Sequence, residues 1–207
     1  MPVTIVDYNA GNLRSVQRAC AKVGVETNLC RDPEKLLKAE RAIFPGVGNA
    51  QAAMETLKET GLDEALCDLV QSGRPVLGIC VGAQLILDRS EESEVACLGL
   101  IRGSAQRFQL TEQELKVPHI GWNGVSATQP HPLLAEMDED SDFYFVHSYY
   151  PNPASVDNVY ATTDYGRPFC CALGKDNLFA TQFHPEKSGR LGLELLHRFS
   201  TWDGQAC

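Results

Sequence analysis

Val76-Leu77-Gly78-Ile79-Cys80-Val81-Gly82-Ala83-Gln84 decides the fold. The run Val76 to Ile79 is apolar throughout, as in a strand buried on both faces, and the residues after Cys80, up to Leu87, suit a helix. Between them lies G-x-C-x-G, the pattern of a nucleophile elbow. A tight strand-to-helix turn of this kind lifts one side chain above the sheet, and its glycines leave room where a larger side chain would strike neighbouring backbone. The N-terminus of the helix turns its partial positive charge toward the sulfur. The plainer reading is a buried cysteine in a turn, because short glycine patterns also arise by chance.

Upstream of the elbow, strands and helices alternate. Val3 to Asp7 reads as a strand, and Leu13, Val16, Ala19 and Val23 recur at helical spacing up to Gly24. Val25 to Leu29 suits a second strand, Asp32 to Ala39 a short helix opening Asp-Pro-Glu, and Arg41 to Phe44 a third strand ending at Pro45-Gly46. Ala50 to Glu59 and Leu62 to Gln71 read as helices. This order predicts a mostly parallel central sheet with helices on both faces, a three-layer α/β/α arrangement.

Downstream the pattern changes. Trp122 to Ala127, Asp142 to Ser148, Asn158 to Thr163, Phe169 to Leu173 and Leu178 to Phe183 resemble strands separated by turns, and helices are scarce. A closing helix is expected from Ser188, with Leu191, Leu195, Leu196 and Phe199 on one face. No linker, repeat or low-complexity tract interrupts the chain, so residues 1–207 read as a single α/β domain with an added antiparallel β region.

Composition narrows the function classes. With 207 residues, 43% hydrophobic and 22% charged, the chain has ordinary globular values and no room for a second catalytic domain. No stretch is long and apolar enough to span a bilayer, and MPVTIVDY does not begin a secretory signal, so a cytoplasmic protein is expected. A net charge of −9 with scattered basic residues argues against nucleic acid as a partner. The eight cysteines show no C-x-x-C spacing and read as free thiols, mostly small buried hydrophobes such as Cys20. No zinc pattern occurs, so neither a metal nor a cofactor is expected.

A nucleophilic cysteine needs a base. Of five histidines, His184 is the best placed, since it ends the expected strand Leu178 to Phe183 and parallel strands deliver their carboxyl ends to the edge where an elbow opens. Glu186 follows two residues later, on the same face if the backbone stays extended, and can hold one imidazole nitrogen while the other meets the thiol. Cys80, His184 and Glu186 therefore read as a Cys-His-Glu set for nucleophilic catalysis. The backbone N–H of Val81, directly after the nucleophile, suits an oxyanion donor.

These motifs resemble the class I, triad-type glutamine amidotransferases: Gly78 to Gln84 matches their G-x-C-x-G-x-Q, and Gln182-Phe183-His184-Pro185-Glu186 their [QT]-F-H-P-E. Asp7-Tyr8 with Gly11 to Val16, Pro45-Gly46-Val47-Gly48, Pro118-His119-Ile120-Gly121-Trp122-Asn123 and Phe145-Val146-His147-Ser148-Tyr149 extend the likeness over nearly the whole chain. They are similar to the glutaminase subunits of imidazole glycerol phosphate synthases. Val81 and Ala83 stand where that family often has Leu and Met, and both remain apolar.

The resemblance implies a flavodoxin-like fold and hydrolysis of L-glutamine to glutamate and ammonia through a cysteine thioester. It implies a second oxyanion donor from Val47 or Gly48, after a peptide flip. Gln84 would contact the substrate, and the backbone at His147, Ser148 and Tyr149 would hold its amino-acid end. Glu92 is a further substrate candidate, although the run Glu91-Glu92-Ser93-Glu94 has the composition of a solvated loop. The implied partner is a (β/α)₈-barrel cyclase, in a heterodimer, that receives ammonia and makes imidazole glycerol phosphate and an aminoimidazole carboxamide ribonucleotide. Trp122 and Tyr144 would line that interface, or else be core aromatics. Three other readings stand beside this one: a glutaminase of anthranilate, guanylate or pyridoxal phosphate synthesis, a stand-alone γ-glutamyl hydrolase, and a non-catalytic scaffold.

Overall fold

A computed structural model describes residues 2–9, 11–110, 115–137 and 141–206. The first half alternates as its hydrophobic periodicity dictates: β1 (Val3–Val6), α1 (Leu13–Lys22), β2 (Thr27–Cys30), α2 (Pro33–Leu36), β3 (Ala42–Gly46), α3 (Ala50–Thr60), α4 (Leu62–Gln71), β4 (Val76–Cys80) and α5 (Val81–Leu85). Local chemistry sets several boundaries. Asp32 Oδ1 accepts from the amides of Glu34 and Lys35 to start α2, and Asn49 Oδ1 does the same for Gln51 and Ala52 at α3. Gly61, at φ 69°, ends α3 and opens α4. Three expectations shift. The second strand begins at Thr27 rather than Val25, α2 ends at Leu36 rather than Ala39, and α5 stops at Leu85, two residues short of the expected Leu87.

The second half contains β5 (Arg89–Ser90), β6 (Val95–Ala96), β7 (Gly103–Arg107), β8 (His119–Gly124), β9 (Ser126–Ala127), β10 (Asp142–His147), β11 (Tyr149–Pro153), β12 (Val159–Asp164), β13 (Pro168–Lys175) and β14 (Leu178–Thr181), then α6 (Gly189–Thr201). β5, β6, β7 and β11 escape the sequence reading. Two are only two residues long, and β11 carries Pro151 and Pro153, poor strand signals that tertiary pairing overrides.

The main sheet has the order β2-β1-β3-β4-β14-β13-β12-β9, parallel from β2 through β14 and antiparallel beyond. This is the doubly wound arrangement, extended on one side by the expected antiparallel strands. β8 and β10 form a separate ribbon, and β11-β7-β5-β6 a small mixed sheet. The core is continuous, with Ile5, Ile43, Phe44, Leu77, Phe179 and Phe183 among its fully buried residues. α6 closes it through Leu195, Leu196 and Phe199, each worth roughly 1.5–3 kcal/mol of apolar burial. Leu191, expected on the same face, is only partly buried.

Because β3, β4 and β14 run parallel in adjacent register, with Gly46 beside Cys80 and Thr181 beside Ile79, their carboxyl ends open at one edge. No helix among the described residues is long and apolar enough to cross a membrane.

Candidate active site

Cys80 sits at the junction of β4 and α5 with φ 56° and ψ −108°, a conformation that costs a non-glycine residue on the order of 1–3 kcal/mol. Packing forces it. A Cβ on Gly82 would collide with the Phe44 carbonyl oxygen, and one on Gly78 would lie 2.9 Å from the Ala180 Cβ. Both glycines of the elbow are therefore required by close approach of β3 and β14, as the motif predicts. The sulfur is buried, and Gln182 Nε2 lies 3.6 Å from it.

His184 arrives differently from expectation. β14 ends at Thr181, whose hydroxyl donates to the Phe183 carbonyl at 3.0 Å, and the chain leaves the sheet before His184. The His184 N–H donates to the Tyr144 carbonyl at 2.9 Å. Ser188 Oγ donates to the His184 carbonyl at 2.6 Å and accepts from the Tyr144 N–H at 3.0 Å. Glu186 reaches the imidazole from a 3₁₀ turn, Pro185–Lys187, and not from extended backbone. The same-face argument for an extended chain is thus corrected: a turn brings the two side chains together.

The contact itself is short. His184 Nδ1 lies 2.7 Å from Glu186 Oε1, and the two side chains are 2% and 0% exposed. A carboxylate oxygen only accepts, so Nδ1 carries the proton and a neutral ring leaves Nε2 bare. Nε2 is buried with no protein hydrogen bond. Burial alone would lower the pKa of His184, but interaction with Cys80 and Glu186 outweighs it and raises the group well above its ordinary 6.5. The same Oε1 also accepts from Asn12 Nδ2 at 2.5 Å.

A cavity of about 390 Å³ opens over these groups, lined by Cys80, His184, Val81, Val47, Gly48, Gln84 and Glu92 together with His147, Ser148, Tyr149, Val146 and Pro118. Nearly every residue singled out in the sequence thus meets in one space. Glu186 stands behind His184, outside the lining. Gly48, at φ 93°, and Gly46, beside Cys80 in the sheet, bring the end of β3 against the elbow.

Gln84 has a second task. Its amide nitrogen donates to the Tyr149 carbonyl at 3.0 Å and to Gln182 Oε1 at 2.9 Å, which leaves only Oε1 for anything in the cavity. Glu92 is not simply a solvated residue: its Oε2 accepts from the Ala50 N–H at 2.7 Å, satisfying an amide of the first turn of α3. Trp122 and Tyr144 lie outside the cavity. They face each other across β8 and β10 with ring centroids 6.1 Å apart, and Trp122 is 56% exposed, so it is a surface aromatic and not core.

In the sequence Asn12 and Gln182 stand inside motifs with no assigned role, and Ser188 stands only as the start of the closing helix. Only long-range contacts reveal these three. Among the described residues no group of three or more His, Cys, Asp or Glu is placed to hold a metal ion. The seven described cysteines are free, and Cys207 lies outside the described residues.

A cysteine on a strand-to-helix elbow and a carboxylate-held imidazole thus line one cavity at the carboxyl edge of a parallel sheet. The family model for class-I glutamine amidotransferases matches residues 4–201. The imidazole glycerol phosphate synthase subunit HisH of Maridesulfovibrio salexigens is 48% identical over 202 residues, covering 95% of each chain. That of Acinetobacter baylyi is 46% identical, covering 97% of this chain and 98% of its own. The chain belongs to the class-I glutamine amidotransferase family, within its group of imidazole glycerol phosphate synthase HisH subunits. Solved structures share the fold: PurLQS from Thermotoga maritima at TM-score 0.72 and 17% identity, covering 96% of this chain and 97% of that one, and the acivicin-bound glutaminase domain of Trypanosoma brucei CTPS at 0.65 and 15%, covering 100% and 98%.

Proposed function

We propose that this chain is the glutaminase subunit of an imidazole glycerol phosphate synthase, serving histidine biosynthesis. The observation that carries the chemistry is the 2.7 Å pair of His184 and Glu186, with His184 lining one cavity together with the strained Cys80. Identity of 44–48% to HisH subunits over nearly the full chain supports the choice of synthase over the anthranilate, guanylate and pyridoxal phosphate alternatives.

The sulfur of Cys80 adds to the side-chain amide carbon of L-glutamine while His184 Nε2 holds its proton. The tetrahedral oxyanion is met by the N–H of Val81 and by an N–H of the Val47 and Gly48 segment. His184 then gives its proton to the departing nitrogen, which leaves as ammonia and a glutamyl thioester. A water molecule, deprotonated at Nε2, attacks the thioester; glutamate departs and the thiol is restored. Glu186 keeps the ring oriented and stabilises the imidazolium formed in each half. The backbone at His147, Ser148 and Tyr149 holds the amino-acid end of glutamine, with Gln84 and Glu92 on the cavity wall.

Ammonia released into water is lost as ammonium, so a synthase must take it directly. We assign that role to a (β/α)₈-barrel cyclase in a heterodimer. Ile120 and Trp122 on β8 are 59% and 56% exposed, and Val146 and Tyr144 stand opposite them on β10. This apolar ribbon beside the cavity supports an interface there. Residues 1–207 are read as one domain, supported by the continuous core and the match over 4–201. A cytoplasmic setting suits the free thiols.

The test is glutamate release by the purified chain, alone and with the barrel cyclase and its nucleotide substrate. Strong stimulation in the full mixture is expected. Equal rates in both would reject the synthase assignment in favour of a stand-alone hydrolase.

A further inference from the structure

Two buried histidine side chains, that of the cavity-lining His147 and that of His119, have no part in the chemistry above. His119 and His147 are directly opposite on β8 and β10, and each is at most 5% exposed. His147 Nδ1 is 2.7 Å from the Tyr149 carbonyl oxygen, and its Nε2 is 3.1 Å from His119 Nδ1. His119 Nε2 is 3.3 Å from Asn123 Nδ2, which also donates to the Asp164 carbonyl at 2.8 Å, while Asn123 Oδ1 accepts from the Gly124 N–H at 2.9 Å.

Only one proton arrangement satisfies this chain. A carbonyl oxygen cannot donate, so His147 Nδ1 carries hydrogen. If that ring is neutral, its Nε2 accepts, and His119 must donate from Nδ1. His119 Nε2 then accepts from the Asn123 amide. The polarity runs one way, from Asn123 through both rings to Tyr149, and a proton added to His147 would set two N–H groups against each other. The Tyr149 oxygen receives a second donor, Gln84 Nε2, at 3.0 Å, so both its lone pairs are filled. It is therefore a clamped group and not a free acceptor for substrate.

We infer that His119 and His147 are positioning residues for the glutamine site, two neutral imidazoles locked as Nδ1–H tautomers that, with Gln84, clamp the Tyr149 peptide at the cavity wall. The inference rests on the glutaminase reading for what the clamp serves: a fixed Ser148 and Tyr149 backbone presents its groups to the amino-acid end of glutamine without paying for order at each binding event. Burial holds both rings neutral, pushing His147 down to about 3 against the raising effect of its hydrogen bond to Tyr149, and His119 down to about 4. Phe145 and Tyr165 stack on the His119 ring at 4.9 and 4.0 Å between centroids, which leaves it little freedom to turn.

Two measurements test this. In the full chain labelled with ¹⁵N-histidine, two-bond ¹H–¹⁵N correlations should show His119 and His147 as neutral Nδ1–H tautomers that do not titrate between about pH 5.5 and 8. An Nε2–H tautomer, or titration in that range, overturns the inference whatever the chain catalyses. In the complex with the cyclase, His119→Phe keeps the stacked volume and removes the donor to His147. The KM for glutamine should then rise about tenfold with kcat changed less than about threefold, and His119→Asn, whose amide can donate from near the Nδ1 position, should recover most of the loss. An unchanged KM in His119→Phe, or no recovery in His119→Asn, rejects the clamp. Absence of glutamate release from the unsubstituted chain would instead reject the glutaminase reading, and the tautomer result would still stand.

Discussion

Asn12 Nδ2 donates to Glu186 Oε1 at 2.5 Å, across a sequence separation of 174 residues. The oxygen that holds His184 is itself held from the N-terminus of α1. Glu186 is thereby fixed from two directions, and its other oxygen, Oε2, is buried without a partner. A hydrogen bond to a carboxylate contributes about 1.5–3 kcal/mol, so its loss should be felt at the imidazole. Asn12→Ala is expected to lower kcat for glutamine hydrolysis by about tenfold or more, with a smaller change in KM. Steady-state kinetics in the presence of the cyclase decides it, and an unaltered kcat would remove Asn12 from the positioning of the pair.

Cys80→Ala should abolish glutamine-dependent synthesis in the complex while ammonium salts still support the cyclase reaction. The substitution removes the nucleophile and leaves the acceptor half intact. Glutamine-dependent turnover persisting in this variant would take Cys80 out of the mechanism.

Gly82→Ala is predicted to destabilise the fold by about 3–5 kcal/mol, because the new methyl group would strike the backbone carbonyl of Phe44 and neither β3 nor α5 can retreat from the core. Urea unfolding of the variant checks this. A midpoint equal to that of the unsubstituted chain would show that the elbow has more room than its contacts indicate.

Trp122→Ala should weaken cyclase binding by roughly tenfold to a hundredfold while leaving the unfolding midpoint of the isolated chain nearly unchanged. An exposed aromatic on an apolar ribbon contributes to association and little to the monomer core. Titration calorimetry with the cyclase separates the two. A large loss of monomer stability with unaltered affinity would place Trp122 in the fold and not the interface.

Acid should destabilise the chain through its buried neutral histidines. Burial lowers His147 to about 3 and His119 and His131 to about 4, from an ordinary 6.5. Between those values the unfolded chain binds more protons, so stability is complete above about pH 6.5 and falls as pH drops toward 4. His184 is shifted the other way, and its contribution is lost only as pH rises above 6.5. His131 Nδ1 accepts from the Leu133 N–H at 3.2 Å, a capping role that Asn can keep without titrating. His131→Asn should therefore remove roughly a third of the histidine-driven slope of stability against pH between 7 and 5. An identical slope in both proteins would contradict this origin.

The sequence by itself determined whatever depends on neighbours along the chain. The apolar run before Cys80 and the two glycines around it specify an elbow, because buried strand, sharp turn and close approach are encoded within a few residues. The alternation through the first half specifies the parallel sheet, and the carboxyl edge follows from that parallel order. Cys80 and the His184 and Glu186 pair were legible for this reason. The tertiary structure alone decided the rest. β5, β6, β7 and β11 form where pairing supplies what their short or proline-containing segments lack. The turn that presents Glu186, the reach of Asn12 across the chain, and the clamp of His147 and Gln84 on Tyr149 all depend on where distant backbones come to rest. Hydrogen bonds between segments far apart in sequence leave no periodic trace in it, since their geometry exists only once the core has closed.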